Sequence, residues 1–138
     1  MTRAQSDMKR AYSDVSGVLQ EWGPASNDSR SRRYGGLCHA VPVMIRTCGL
    51  CQAVAFLYSK AMQSSGDEKL LEHIAGIAGV DRSKLDQWVA GLPTSEYMLN
   101  TLRILDAMVF YKRFAVSVLK AEAADADEGA ADHASGAA

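Results

Sequence analysis

Between Ser95 and Ala121 the polar residues gather in a way that only a helix produces. At about 100° per residue, Arg103, Asp106, Arg113, Ser117 and Lys120 crowd one narrow strip, while apolar residues from Met98 to Leu119 take most of the remaining circumference. A helix apolar over so much of its surface has to be covered by several others. The spacing therefore predicts a long helix at about Ser95 to Ala121, introduced by Pro93 and Thr94 or Ser95, as the central element of a helical domain.

The rest of the chain supplies the helices to cover it. Met8, Tyr12, Val15, Leu19 and Trp22 recur at spacings of four and three and define one face of a first helix, which Gly23-Pro24 stops. The segment from Gly23 to Arg33 is rich in turn formers and has no apolar anchor, so it reads as a solvated, mobile loop whose arginines are free to reach a ligand. Leu37, Val41, Met44 and Ile45 suggest a second helix that Pro42 kinks or starts, with Gly49 a further weak point. Leu50, Ala53, Val54, Leu57 and Ala61 form the stripe of a third helix. Ser65 to Glu68 fits a capping box opening a fourth, and Asp81 a cap for a short fifth that Gly91 closes. No strand and no internal repeat stands out. The expected fold is all-α, a compact single-domain bundle of about five to seven helices around the long C-terminal one. Residues 1–121 form the domain, and 122–138, acidic and Ala-rich without a large apolar residue, a disordered tail.

Composition narrows the function. No apolar run is long enough to span a membrane, and Met1 to Arg10 has no apolar signal core, so a soluble cytoplasmic protein without membrane contact is expected. All fifteen Lys and Arg lie at or before Lys120, against eleven carboxylates there, so residues 1–120 carry a net +4 while five acids follow. Between Asp28 and Asp67 stand Arg30, Arg32, Arg33, Arg46 and Lys60 and no carboxylate, a local field that attracts phosphate. The acidic tail should compete weakly with phosphate for this basic core.

Chemistry finds little support. Cys38-His39 with Cys48-x-x-Cys51 has the count for a zinc site, but adjacent residues on a helix point about 100° apart, and small packed thiols are the better reading. A thioredoxin-like reading fails for want of a strand. His39, His73 and His133 have no carboxylate at telling spacing, and neither Gly35-Gly36 nor Gly76-x-x-Gly79 has the context of a phosphate loop. No catalytic residue, metal or cofactor is therefore assigned, and the protein is expected not to be an enzyme. Were one helix to run from Arg46 to Lys60, these two would share an edge roughly 20 Å long; a kink at Gly49 would spoil that spacing. Phe56, off the core stripe, is a candidate protein contact.

The stretch from Tyr34 to Lys60 resembles the small subunit of Cmr-type (type III-B) CRISPR effector complexes. That family reads here as a Tyr-Gly start, a Leu-x-x-Pro step, Ile-Arg, Gly-Leu and Phe-Leu-x-Ser-Lys. This chain has Tyr34-Gly35, a shifted pattern ending at Pro42, Ile45-Arg46, Gly49-Leu50 and Phe56-Leu57-Tyr58-Ser59-Lys60. An amphipathic opening helix and Lys112-Arg113-Phe114-Ala115 fit the same pattern; the cysteines and the acidic tail are not part of it. The resemblance implies a helical, non-catalytic subunit in antiviral defence, stacked with copies of itself and other Cmr subunits along guide RNA and target RNA. It makes Arg46 and Lys60 the leading candidates for RNA backbone contacts; Arg30, Arg32, Arg33 and Arg113 are candidates by charge alone. The competing readings are the small subunit of a Csm-type complex, a protein-interaction module using Phe56 and the long helix without nucleic acid, and a thiol or zinc enzyme.

Overall fold

The structure, a computed structural model, describes residues 1–122, so the expected tail lies outside the described residues from 123 onward. Six helices and one 3₁₀ turn follow one another without a strand among the described residues. Helix α1, Arg3–Trp22, starts from a capping box in which the Thr2 hydroxyl accepts from the Gln5 amide and the Gln5 side chain accepts from the Thr2 amide. Its buried face is Asp7, Ala11, Val15 and Val18, whereas Met8 and Tyr12 are exposed. The expected stripe is thus rotated by about one residue. The reason lies on α6, Thr94–Ser117, whose Arg103 donates to Asp7 across the seam at 2.8 Å. A charged pair can occupy a position that periodicity reserves for apolar residues.

Helix α2, Ser29–Cys48, begins earlier than the composition suggests. Asp28 caps it by accepting from the Arg30 amide at 2.8 Å, so only 23–28 remains outside helix. That short turn is tied down: the Ser31 hydroxyl donates to the Gly23 carbonyl, and buried Ala25 donates its amide to the Leu119 carbonyl. The expected 23–33 loop is therefore half helix, and Arg30, Arg32 and Arg33 stand on the first turn of α2. Pro42 lies in the helix interior and buried. Gly49, at φ +92°, then separates α2 from α3, Leu50–Ala61, so no continuous helix joins Arg46 to Lys60. The orphan amides at the start of α3 have no side-chain cap of their own; the Tyr97 phenol oxygen of α6 accepts from the Cys51 amide at 3.0 Å.

Helix α4, Ser65–Ala78, is capped by Ser64 rather than Ser65, and ends at left-handed Gly79. Asp81 caps the 3₁₀ turn Arg82–Lys84, which leads into α5, Leu85–Gly91. The core is filled by Leu37, Leu50, Leu57, Leu70, Leu71, Ile74, Leu85, Ile104, Met108 and Leu119, together with Tyr34 and Tyr111. The two tyrosines carry a polar line through it. Tyr34 Oη lies 2.6 Å from His73 Nδ1, and Tyr111 donates to Asp14 at 2.5 Å, with His73 Nε2 3.9 Å from the same carboxylate. Burial raises both phenols well above their ordinary range, so they stay protonated and able to donate.

Helix α6 packs on α1, α2 and α4, burying Ile104, Ala107, Met108, Tyr111 and Ala115. Part of its expected solvent strip is instead seam: Arg103 pairs with Asp7, and Asp106 with Arg3. The face left uncovered is apolar, with Met98, Leu99 and Leu102 exposed at 62%, 67% and 59%. After Ser117 the chain turns back through Lys120, at φ +60°, and buries Leu119 and Ala121 against α2. A Cβ at Gly35 would come within 2.2 Å of the Ala121 Cβ. Alanine in a helix interior ordinarily stabilises by about 1 kcal/mol over glycine. Here Gly35→Ala is expected to destabilise by about 1–3 kcal/mol through overpacking, read as a lower urea midpoint. A higher midpoint would show that 119–121 is not held on α2.

Candidate nucleic-acid interface

Alpha-helical geometry places residues three, four and seven apart on one face, and His39, Pro42, Val43 and Arg46 follow that spacing along α2. Opposite them α6 presents Met108, Val109, Lys112, Arg113, Val116 and Ser117. Together these two faces form an open groove of about 530 Å³ with an apolar floor and cations on its rims. Among the described residues, no carboxylate pairs with Arg46, Lys112 or Arg113, and all three are exposed. An apolar trough edged by unpaired cations suits an anionic chain that also offers flat or apolar surface.

The sequence-derived residues distribute unevenly around this feature. Arg46 and Arg113 share the groove; Lys60 stands at the end of α3, half-buried and outside the groove lining. Arg30 forms an ion pair with Asp28 at 2.8 Å and lies 5.1 Å from the centre of the Trp22 ring, yet remains exposed. Its guanidinium lowers the Asp28 pKa through their hydrogen bond. Arg32 donates to the Ala25 carbonyl at 3.1 Å. Arg33 is different: its side chain is 10% exposed and its guanidinium holds Asp67, itself wholly buried, through contacts of 3.0 and 3.2 Å. Arg33 is thus engaged in the core, where its guanidinium holds Asp67. Phe56 is half-buried and packs against the core rather than projecting from it.

Lys112 was not singled out from the sequence, although it precedes Arg113 in the Lys-Arg-Phe-Ala stretch; its pairing with Arg46 depends on how α2 and α6 meet. The cysteines do not converge: Cys38 is buried, Cys48 and Cys51 are exposed, and none is in a disulfide. Burial pushes the Cys38 thiol up to about 12, which disfavours the thiolate a metal or a nucleophilic step requires. Among the described residues no three His, Cys, Asp or Glu side chains are grouped to hold a metal ion, and no helix is long and apolar enough to cross a membrane.

A six-helix domain with a basic, apolar-floored groove defines the molecule as a small all-α module with a surface suited to an anionic partner. Its residues 3–118 match the family model described as CRISPR-associated protein (Cas_Cmr5), and the chain belongs to that family. The fold is similar to the crystal structure of a CRISPR-associated Cmr5 family protein from Thermus thermophilus. The TM-score is 0.73 at 26% identity, covering 86% of this chain and 99% of that one. No curated protein matches the chain.

Proposed function

We propose that this chain is the non-catalytic small subunit of a type III-B CRISPR effector complex and meets the RNA backbone through the α2/α6 groove. The observation that carries the reading is the meeting of Arg46, Lys112 and Arg113, unpaired by carboxylates among the described residues, along one groove. Family membership supports a place in a Cmr-type complex beside its other subunits; the role in antiviral defence, the cytoplasmic location and the contacts with guide and target RNA belong to this proposal. Contacts of this kind go to phosphates and sugars and do not read sequence. Arg30, Arg32 and Lys60 lie off the groove and stand as secondary contacts. The exposed stripe Met98, Leu99 and Leu102 is the surface for a neighbouring subunit or a second copy, since a patch of this kind on a stable domain marks an interaction site.

The test reverses two groove charges, Arg46→Glu with Arg113→Glu, in the assembled complex, because a single subunit has few contacts and stacking supplies affinity by multivalency. Binding should weaken on RNA of any sequence, and two lost contacts should flatten the dependence of log affinity on log salt by about 1.4 to 1.8. Both residues are exposed, so the subunit should still fold and be incorporated. Unchanged slope and affinity with the variant incorporated would remove the groove from the RNA path.

A further inference from the structure

One lining residue of the α2/α6 groove is neither apolar nor a fixed cation. His39 stands two turns before Arg46 on the same face of α2, about 10 Å away along the axis, and lines the groove with Arg46, Lys112 and Arg113. Its Nε2 lies 3.3 Å from the carbonyl oxygen of Ala121, which is buried on the segment that follows α6. A carbonyl oxygen only accepts, so this contact is a hydrogen bond when the proton sits on Nε2. The neutral ring then keeps a bare lone pair on Nδ1, and among the described residues Nδ1 has no hydrogen-bond partner. Protonation keeps the bond to Ala121, turns Nδ1 into a second donor and adds a unit charge to the groove. Arginine, lysine and glutamate ordinarily titrate well outside the histidine range. That covers the charged groups around the ring: Arg46 on α2, Lys112 and Arg113 on α6, and Lys120 and Glu122 on either side of Ala121 in the chain. Among the described residues no carboxylate lines the groove.

We infer that His39 is the switchable member of this anion site: neutral, it leaves the groove to three fixed cations; protonated, it supplies a fourth positive charge and an Nδ1 donor for a phosphate oxygen. The inference rests on the reading of the groove as an RNA path proposed above. A phosphate that binds the protonated ring better than the neutral one draws a proton onto it, and the coupling is reciprocal. RNA affinity therefore rises as the pH falls through the histidine range, and bound RNA raises the pH at which the ring titrates.

The experiment titrates the full chain at low salt with oligouridylate that lacks a terminal phosphate, a probe whose own charge is constant between about pH 8 and about pH 6. Wild-type affinity should rise about two- to fivefold over this interval, the range of one exposed charge contact. The dependence of log affinity on log salt should steepen by up to about 0.7 at the lower pH. His39→Gln keeps a donor for the Ala121 carbonyl and cannot titrate, so its affinity should match the wild type at about pH 8 and stay level as the pH falls. Burial lowers the His73 pKa to about 4, below this interval, and His133 is common to both proteins, so the difference between them belongs to His39. In the wild type, the NMR signals of the His39 ring should titrate at higher pH with the probe bound than without it. Undiminished pH dependence in His39→Gln, or ring signals that titrate at the same pH with and without bound probe, would overturn the inference. The variant Arg46→Glu with Arg113→Glu tells the two readings apart. Weaker binding by that variant at both pH values keeps the groove as an RNA site whatever His39 does; undiminished binding overturns the groove and the role of His39 with it.

Discussion

Asp67→Ala is expected to cost about 3–5 kcal/mol of folding stability, the range for removing one partner of a buried ion pair. The carboxylate has no exposed surface, the Arg33 side chain that it holds has little, and the bond is two-pronged, at 3.0 and 3.2 Å. Asp67 also lies in the first turn of α4, where a negative charge is favoured by the helix dipole. Removing it takes from the largely buried guanidinium a carboxylate that it holds by two bonds, in a place that water does not reach freely. The close approach of the two helices leaves little slack for repair, since a Cβ on Gly66 would already lie 3.0 Å from Arg33 Cγ and from the Tyr34 nitrogen. Urea unfolding reads the effect as a lower midpoint with an unchanged slope. Replacing both partners, Arg33→Met with Asp67→Leu, should recover much of the loss, because an apolar pair of similar volume carries no desolvation cost. A loss below about 1 kcal/mol for Asp67→Ala would place Arg33 among the accessible cations and in the RNA-facing set.

Arg33 also shows where the amino-acid sequence stops being informative. Its neighbours Ser29, Arg30 and Arg32 are polar, and nothing within thirty residues announces that Asp67 will arrive beside it. Charge without a nearby carboxylate is visible in one dimension; pairing across two helices is not. The same limit explains the long helix. Its polar strip is real, but Arg103 and Asp106 find Asp7 and Arg3 on α1, so the strip becomes a seam and an apolar face is left outside. By contrast, features governed by local backbone physics were legible: Gly49 as a break, Asp81 as a cap, Pro93 before the long helix, and the all-α bundle as a whole. The groove itself is a product of the fold. Arg46 and Arg113 were singled out separately, one from an Ile-Arg step and one from charge, while their meeting across α2 and α6, with Lys112 between the same rims, required the fold.

The stability of the domain should fall as the solution is acidified through the range where histidine normally titrates. His73 is buried between Tyr34 and Tyr111, and burial lowers its pKa from about 6.5 to about 4, with Lys69 acting in the same direction and Asp14 opposing it. Its Nδ1 lies 2.6 Å from the Tyr34 hydroxyl oxygen; in the neutral tautomer that carries its proton on Nε2, Nδ1 accepts from that hydroxyl, an acceptance that protonation would abolish. Above pH 6.5 the ring is neutral whether the chain is folded or unfolded, so it contributes no pH dependence. Between pH 6.5 and about 4 the unfolded chain binds a proton at this residue and the folded one does not, which pulls the equilibrium toward unfolding by about 1.4 kcal/mol per pH unit. The total contribution is about 3 kcal/mol, complete once the folded-state pKa is passed. Urea midpoints taken at intervals from pH 7.5 to 4 should therefore be level at first and then decline. His73→Gln keeps an acceptor for Tyr34 but cannot titrate, so its stability is expected to be nearly flat between pH 6.5 and 5, where most carboxylates are still ionised. If the decline persists undiminished in that variant, other groups are responsible and the buried line from Tyr34 through His73 to Asp14 is not the acid-sensitive element of this fold.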